Sequence, residues 1–91
     1  MINIDDPFYA AVRRDTLETI NNYVAHGWHP GDFVYAVLTN DLRAAMGAAD
    51  DDNRRAIFHI VMYCYNEIPS ASWGSPENVK AWMAMMRGAK E

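Results

Sequence analysis

Residues 50–69 decide the fold of this chain, and they read DDDNRRAIFHIVMYCYNEIP. Apolar residues recur there at the spacing of an amphipathic helix, at Ile57, Ile60, Val61, Cys64, Tyr65 and Ile68. Further apolar residues lie on the remaining faces, namely Phe58, Met62 and Tyr63. Acidic residues favour the start of a helix, and Pro69 ends this one. The stretch predicts a central helix over about 50–68, because a helix that is apolar nearly all round is normally the most buried one.

Glycine and proline divide the sequence before this helix into two helical blocks. Asp6-Pro7 is typical of a helix start and predicts a first block that ends at His26-Gly27, with a second possible start at Asp15. A glycine-containing linker then separates the first block from a second block over residues 32–47. Asn40-Asp41 falls in the middle of the second block, where the pair either divides the helix or lies within it.

The sequence after the central helix predicts one more helix. Ser75-Pro76-Glu77 combines an N-cap serine, a proline at the first helical position and an acid in the first turn. One apolar stripe follows, formed by Val79, Trp82, Met83 and Met86. No segment alternates with period two, so no sheet is predicted. The predicted fold class is therefore all-α: a compact bundle of four to five short helices in a single domain, residues 1–91.

The composition excludes several classes of protein. The chain has 91 residues and a net charge of −4, from 12 acidic and 8 basic residues, whereas nucleic acids and anionic membranes attract basic surfaces. Cys64 is the single cysteine, so no intramolecular disulfide can form. The N-terminal residues lack the features of a signal peptide, and the longest apolar stretch is too short to span a bilayer. We expect a cytoplasmic protein with no nucleic-acid or membrane partner.

Metal sites and nucleophiles are not predicted. His26 and His29 are the one close pair of potential ligands, whereas structural zinc usually needs two such pairs. Asp50–Asp52 lacks the glycine and the distal glutamate of a calcium loop and fits a solvated helix N-terminus. Cys64 lies on an apolar stripe and is expected to be a buried structural thiol. The sequence thus predicts no metal, no cofactor and no catalytic residue.

Polar residues interrupt the apolar helices and predict a pocket. Asn and Asp inside helices compete with the backbone for hydrogen bonds, so they are poor choices for stability alone. With a loop tryptophan, they predict a polar-aromatic ligand site formed by Asn40, Asp41, Tyr65, Asn66, Glu67, Trp73, Gly74 and Ser75. A charged rim could come from Arg13, Arg14, Arg43, Arg54 and Arg55. The alternative interpretation is that the polar residues cap helices and lock the loop to the bundle.

Three of these segments belong to a longer pattern. Thr39–Arg43, Tyr65–Pro69 and Trp73–Ser75, together with Ala49–Asn53, resemble small proteins of unassigned function encoded by bacteriophages and prophages. In those proteins NDL, ADxxN, YNExP and WGS follow one another at similar spacing, and the resemblance covers about residues 15–82. The resemblance implies a phage origin and no activity, and the eight pocket residues are its distinctive positions.

The function expected from the sequence is that of a non-enzymatic, phage-type accessory or counter-defence protein. It would sequester a small, nucleotide-like ligand in the polar-aromatic pocket, as a homo-oligomer. The first alternative is an inhibitor that blocks a host protein through an acidic face or a methionine-bearing face at Met85. The second alternative is a small enzyme that uses Glu67 as its acid–base residue, since Glu67 is the acid embedded in an apolar run.

Overall fold

Six α-helices and two 3-10 turns build residues 5–88, the part of the chain that the computed structural model describes. In chain order they are a 3-10 turn at Pro7–Tyr9, α1 (Arg14–His26), α2 (Asp32–Leu38), α3 (Leu42–Ala48), α4 (Asp51–Arg55), α5 (Ile57–Glu67), a second 3-10 turn at Ser70–Ser72, and α6 (Pro76–Gly88). These residues contain no strand, so the predicted all-α class is confirmed, with six helices in place of four or five.

The first predicted block is divided into a short turn and a helix. The Asp6 carboxylate accepts a hydrogen bond from the Phe8 amide at 2.9 Å, as a cap does, but only a 3-10 turn follows. Helix α1 then begins at Arg14, next to the second start predicted at Asp15. The division lets Tyr9 and Val12 both reach the core, where each is buried.

The second predicted block is divided at the asparagine–aspartate pair, which settles the alternative left open by the sequence. Asn40 has a φ of 64°, the left-handed conformation that ends a helix. The Asp41 carboxylate accepts a hydrogen bond from the Ala44 amide at 3.1 Å and so caps α3. The pair therefore ends α2 and starts α3.

The predicted single helix over 50–68 is wrong in one respect, because it is interrupted at Ala56. This residue has φ −97° and ψ 6°, outside helical geometry, and it separates α4 from α5. Asp50 caps α4 as the acidic start predicts, accepting from the Asn53 amide at 2.8 Å. The Thr16 hydroxyl donates to the Asn53 side-chain oxygen at 2.9 Å, which fastens α4 to α1. The Asp50 cap and the Thr16–Asn53 hydrogen bond fix the position of α4, and the chain then bends at Ala56, whose methyl group is buried.

Helix α5 is buried on one face only, although its sequence is apolar nearly all round and predicts the most buried helix. Ile60, Tyr63 and Cys64 are fully enclosed, whereas Val61 and Tyr65, which belong to the predicted apolar stripe, are exposed. The molecule measures 37 × 28 × 18 Å, and a helix with its side chains is about 10–12 Å across. A body 18 Å thick has no room for a helix covered on both sides. Even the most apolar helix must therefore keep an outer face.

Helix α6 begins where the sequence predicts it, and it closes the core. The Ser75 hydroxyl accepts a hydrogen bond from the Asn78 amide at 3.1 Å, which caps the helix. Val79 is fully buried, and the Trp82 indole donates to the Val24 carbonyl at 3.0 Å. Gly27 ends α1 with a φ of 71°, and a Cβ at this position would lie 3.0 Å from the Met83 carbonyl oxygen. Glycine is therefore required there both for its conformation and for the close approach of α6.

Candidate functional site

The predicted pocket residues lie in three separate places. Asn40, Asp41 and Trp73 line a cleft of about 70 Å³ between α2, α3 and α5. The other lining residues are apolar, namely Ala36, Val37, Leu42, Ala45, Ile57 and Val61. Three of the eight predicted residues therefore converge at this cleft. Its volume holds one or two water-sized groups, so it cannot enclose a nucleotide.

Asn66 and Glu67 contact the N-terminal turn and do not line the cleft. The Tyr9 hydroxyl donates to Glu67 Oε2 at 2.9 Å and accepts from Asn66 Nδ2 at 3.3 Å. The Tyr9 ring packs edge-on against Tyr63, with 4.9 Å between the ring centroids. These contacts lock the Pro7–Tyr9 turn onto α5. Tyr65 stands apart from them on the outer face of α5.

The Trp73–Ser75 loop is held mainly through its backbone. The Gly74 amide donates to the Leu38 carbonyl at 2.7 Å, and Gly74 has a φ of 104°. The Asn78 side chain donates to the Trp73 carbonyl at 3.0 Å. With the caps formed by Asp41 and Ser75, these contacts fit the alternative interpretation, in which the polar residues cap helices and lock the loop.

The predicted arginine rim is mostly neutralised by neighbouring acids. Arg13 pairs with Asp15 at 2.6 Å and with Asp50 at 2.8 Å, and Arg14 pairs with Asp5 at 2.7 Å. Two further pairs lie within α4, Arg54 with Asp51 and Arg55 with Asp52. Arg43 is exposed on α3 and makes no ion pair within residues 5–88. Four of the five arginines thus belong to exposed ion pairs rather than to the edge of the cleft.

A groove of about 540 Å³ lies between α6 and the chain around α2. Its lining comes from His29, Tyr35, Pro76, Glu77, Lys80, Met83, Ala84 and Arg87. Small-molecule sites commonly enclose about 300–1,000 Å³. The groove therefore has the size that the cleft lacks.

One wall of the groove is a stacked aromatic pair. The His29 imidazole lies nearly parallel to the Tyr35 ring, with 4.9 Å between centroids and 10° between planes. His29 Nδ1 accepts a hydrogen bond from the Gly31 amide at 3.1 Å. A neutral imidazole with Nδ1 as acceptor carries its proton on Nε2, so His29 can donate a hydrogen bond from its other ring nitrogen.

The opposite wall, on α6, carries more positive than negative charge. Lys80 and Arg87 are both exposed, and Glu77 is the acid beside them. Arg87 Nε donates to the Gly27 carbonyl at 3.0 Å, which anchors the guanidinium at the end of α1. Lys80 makes no ion pair within the described residues. Lys80 and Arg87 against Glu77 leave one excess positive charge on this wall, in a chain whose net charge is −4.

The buried ionisable groups are unsuited to chemistry near neutral pH. Burial raises the pKa of the Cys64 thiol to about 12, so it stays protonated. Burial also raises the pKa of Tyr63 to about 12, with the hydrogen bond to Asn21 acting in the opposite direction. No group of three or more His, Cys, Asp or Glu side chains within residues 5–88 is arranged to hold a metal ion. The expectation of a buried structural thiol is confirmed.

Sequence reasoning missed the groove, although part of its signal is present. Glu77, Lys80, Ala84 and Arg87 follow at i, i+3, i+7 and i+10, which places them on one side of α6. Tyr35 and His29 carry no such signal, because their stacking against each other and their position opposite α6 depend on tertiary packing.

No family model, no curated protein and no solved structure matches this chain. Among the described helices, none combines the length and the apolar character needed to cross a membrane.

Proposed function

We propose that this chain is a non-enzymatic binding protein that holds a small anionic compound with a flat aromatic ring, of the nucleoside monophosphate class. The observation that carries the proposal is the groove of about 540 Å³, which combines an aromatic wall with two exposed cations. The proposal keeps the ligand class expected from the sequence and moves its site from the Asn40–Trp73 cleft to the α6 groove.

Size is the first argument for the groove. A nucleoside monophosphate needs a cavity of several hundred Å³, and the cleft at Asn40 and Trp73 offers about 70 Å³. The cleft can take at most one small group of a ligand. The groove offers about 540 Å³ and needs no rearrangement of the core.

The chemistry of the two walls is the second argument. The flat side chains of Tyr35 and His29 favour an aromatic ring, and Met83 adds a polarisable apolar contact. Lys80 and Arg87 favour a phosphate or carboxylate, while Glu77 works against a high negative charge. The balance suits a ligand with one anionic group better than one with several.

Sequestration inside a bacterial cell is the role that we infer from this site. The resemblance of the sequence pattern to phage-encoded proteins supports it. Glu67, the acid–base candidate, instead accepts a hydrogen bond from Tyr9 at 2.9 Å. A cytoplasmic location is part of the same proposal.

Titration of the protein with AMP, followed by amide chemical shifts, tests the proposal. We expect saturable shifts at Tyr35, Lys80 and Ala84, and weaker binding of adenosine and of inorganic phosphate, because each carries only half of the recognised chemistry. Lys80→Gln should weaken AMP binding about tenfold, the loss of one charge-assisted contact. Arg43→Gln is the matched control, since it removes an exposed cation outside the groove. Equal affinities of the two variants, or an absence of saturation, would contradict the proposal.

A further inference from the structure

The outer face of α5 is apolar although it is exposed to solvent. Phe58 is 61% exposed and Tyr65 is 74% exposed, with Val61 between them on the same stripe. Leu42, which is 69% exposed, continues this surface across the cleft onto α3, and Met46 lies one turn further along α3. We define these five residues as the apolar face: Leu42, Met46, Phe58, Val61 and Tyr65.

This apolar face is unusual for a helix at the surface of a protein. A surface helix normally places charged or polar residues opposite its buried stripe, as α1 does with exposed Arg14, Glu18 and Asn22. Residues 57–66 contain no Asp, Glu, Lys or Arg. Exposed apolar patches of this kind mark interaction surfaces. Helix α5 therefore has an apolar surface on its outer side as well as on the side that packs in the core.

We infer that the apolar face is the interface of a two-fold symmetric homodimer, with the α5 helices of two copies packed antiparallel across Val61. Along this stripe the side chains are large at Phe58, small at Val61 and large at Tyr65. The order of sizes is therefore the same whichever way the helix runs. A two-fold interface needs such self-complementarity, because the same patch serves both subunits. In the antiparallel pairing, Phe58 of each copy lies beside Tyr65 of the other, and the small Val61 side chains let the helices approach.

Charge and area both agree with a second copy as the occupant. Two acidic chains repel each other over most of their surface, but a helix without charged residues over 57–66 brings no like charges together at the contact. An aromatic side chain presents about 150–250 Å², so Phe58 and Tyr65 alone expose roughly 200–350 Å². Leu42, Val61 and Met46 raise this to several hundred Å², a large part of the roughly 800 Å² that each partner contributes to a stable interface.

Sedimentation equilibrium of the full chain tests the inference. We expect a reversible dimer for the native sequence and loss of the dimer in Val61→Arg, because each copy would place a cation on the symmetry axis. Met85→Arg is the control, since Met85 is an exposed apolar residue of α6 outside the apolar face, and it should remain dimeric. Helical circular dichroism verifies that both variants fold.

Cross-linking tests the geometry independently of affinity. In Val61→Cys the two introduced thiols meet at the axis, and mild oxidation should give a covalent dimer, while Cys64 is buried and does not compete. Met85→Cys should remain uncross-linked. A native chain that is monomeric at its highest soluble concentration would overturn the inference and leave the face to a different protein. A dimer that persists in Val61→Arg would overturn it as well.

Discussion

Asn40 shows how a single residue sets the path of the chain. Its φ of 64° lies in the left-handed region, which costs other L-residues about 1–2 kcal/mol and which asparagine and glycine tolerate best. The Asn40 amide donates to the Val37 carbonyl at 3.1 Å, and the next amide, that of Asp41, donates to the Ala36 carbonyl at 2.8 Å. These two bonds close the end of α2 and aim the chain into α3.

Substitutions at Asn40 should therefore separate backbone conformation from side-chain chemistry. Asn40→Ala should lower the free energy of unfolding by about 1 kcal/mol, because alanine adopts the left-handed conformation poorly. Asn40→Gly should be close to neutral, since glycine adopts it freely. Urea denaturation of both variants measures the difference. A loss of the same size in both would show instead that the amide side chain itself stabilises the fold.

At the scale of the elements, a short turn at the N-terminal side is anchored in the helical core. The Pro7–Tyr9 turn has three residues and would not be stable alone. Tyr9 is nonetheless almost fully buried, and its hydroxyl joins Asn66 and Glu67 at the end of α5. Two residues predicted to bind a ligand thus act as an anchor for this turn.

Two substitutions of Tyr9 distinguish the packing of its ring from the hydrogen bonds of its hydroxyl. Tyr9→Ala should cost about 3–5 kcal/mol, the usual loss when a large buried aromatic side chain is removed. Tyr9→Phe keeps the ring and should cost about 1 kcal/mol, the typical net value of a hydrogen bond. Calorimetry gives both values. If Tyr9→Phe were as damaging as Tyr9→Ala, the network with Asn66 and Glu67 would be the dominant contribution.

Local sequence patterns predicted where the helices begin and end, but they did not predict which helix faces are exposed or which residues meet in a pocket. The caps at Asp6, Asp41 and Ser75 and the glycine after α1 follow rules that act within a few residues, so the sequence predicts them. The exposure of Val61 and Tyr65 depends on the thickness of the whole molecule, which periodicity does not encode. For the same reason the sequence assembled one pocket from residues that the fold separates, and it could not place Tyr35 opposite α6.

For the molecule as a whole, the core contains ionisable groups from two different helices. Tyr23 of α1 donates to the Ser72 carbonyl at 2.6 Å, and Tyr63 of α5 donates to the Asn21 side chain at 2.6 Å. Burial raises the pKa of Tyr23 above that of free tyrosine, and it raises the pKa of Tyr63 and of Cys64 to about 12. In all three cases the charged form is the one that the core disfavours.

These raised pKa values predict a loss of stability at alkaline pH. Above about pH 9 the unfolded chain begins to release thiol and phenol protons that the native state retains. Because the unfolded state then binds fewer protons, the free energy of unfolding falls as the pH rises toward 12. Urea denaturation near pH 8 and near pH 10.5 measures the change. Tyr63→Phe should show a shallower fall than the native chain, and an equal fall in both would contradict this origin.

The burial of Cys64 also gives the protein an internal reporter. An alkylating reagent can reach this thiol only when the region around α5 opens, because Cys64 is fully enclosed and is the sole cysteine of the chain. With a reagent in large excess, the rate of mass gain therefore approaches the opening rate, and with a slow reagent it reports the opening equilibrium. The opening of the core around α5 can thus be followed in a crude extract, at native abundance and without any engineered label.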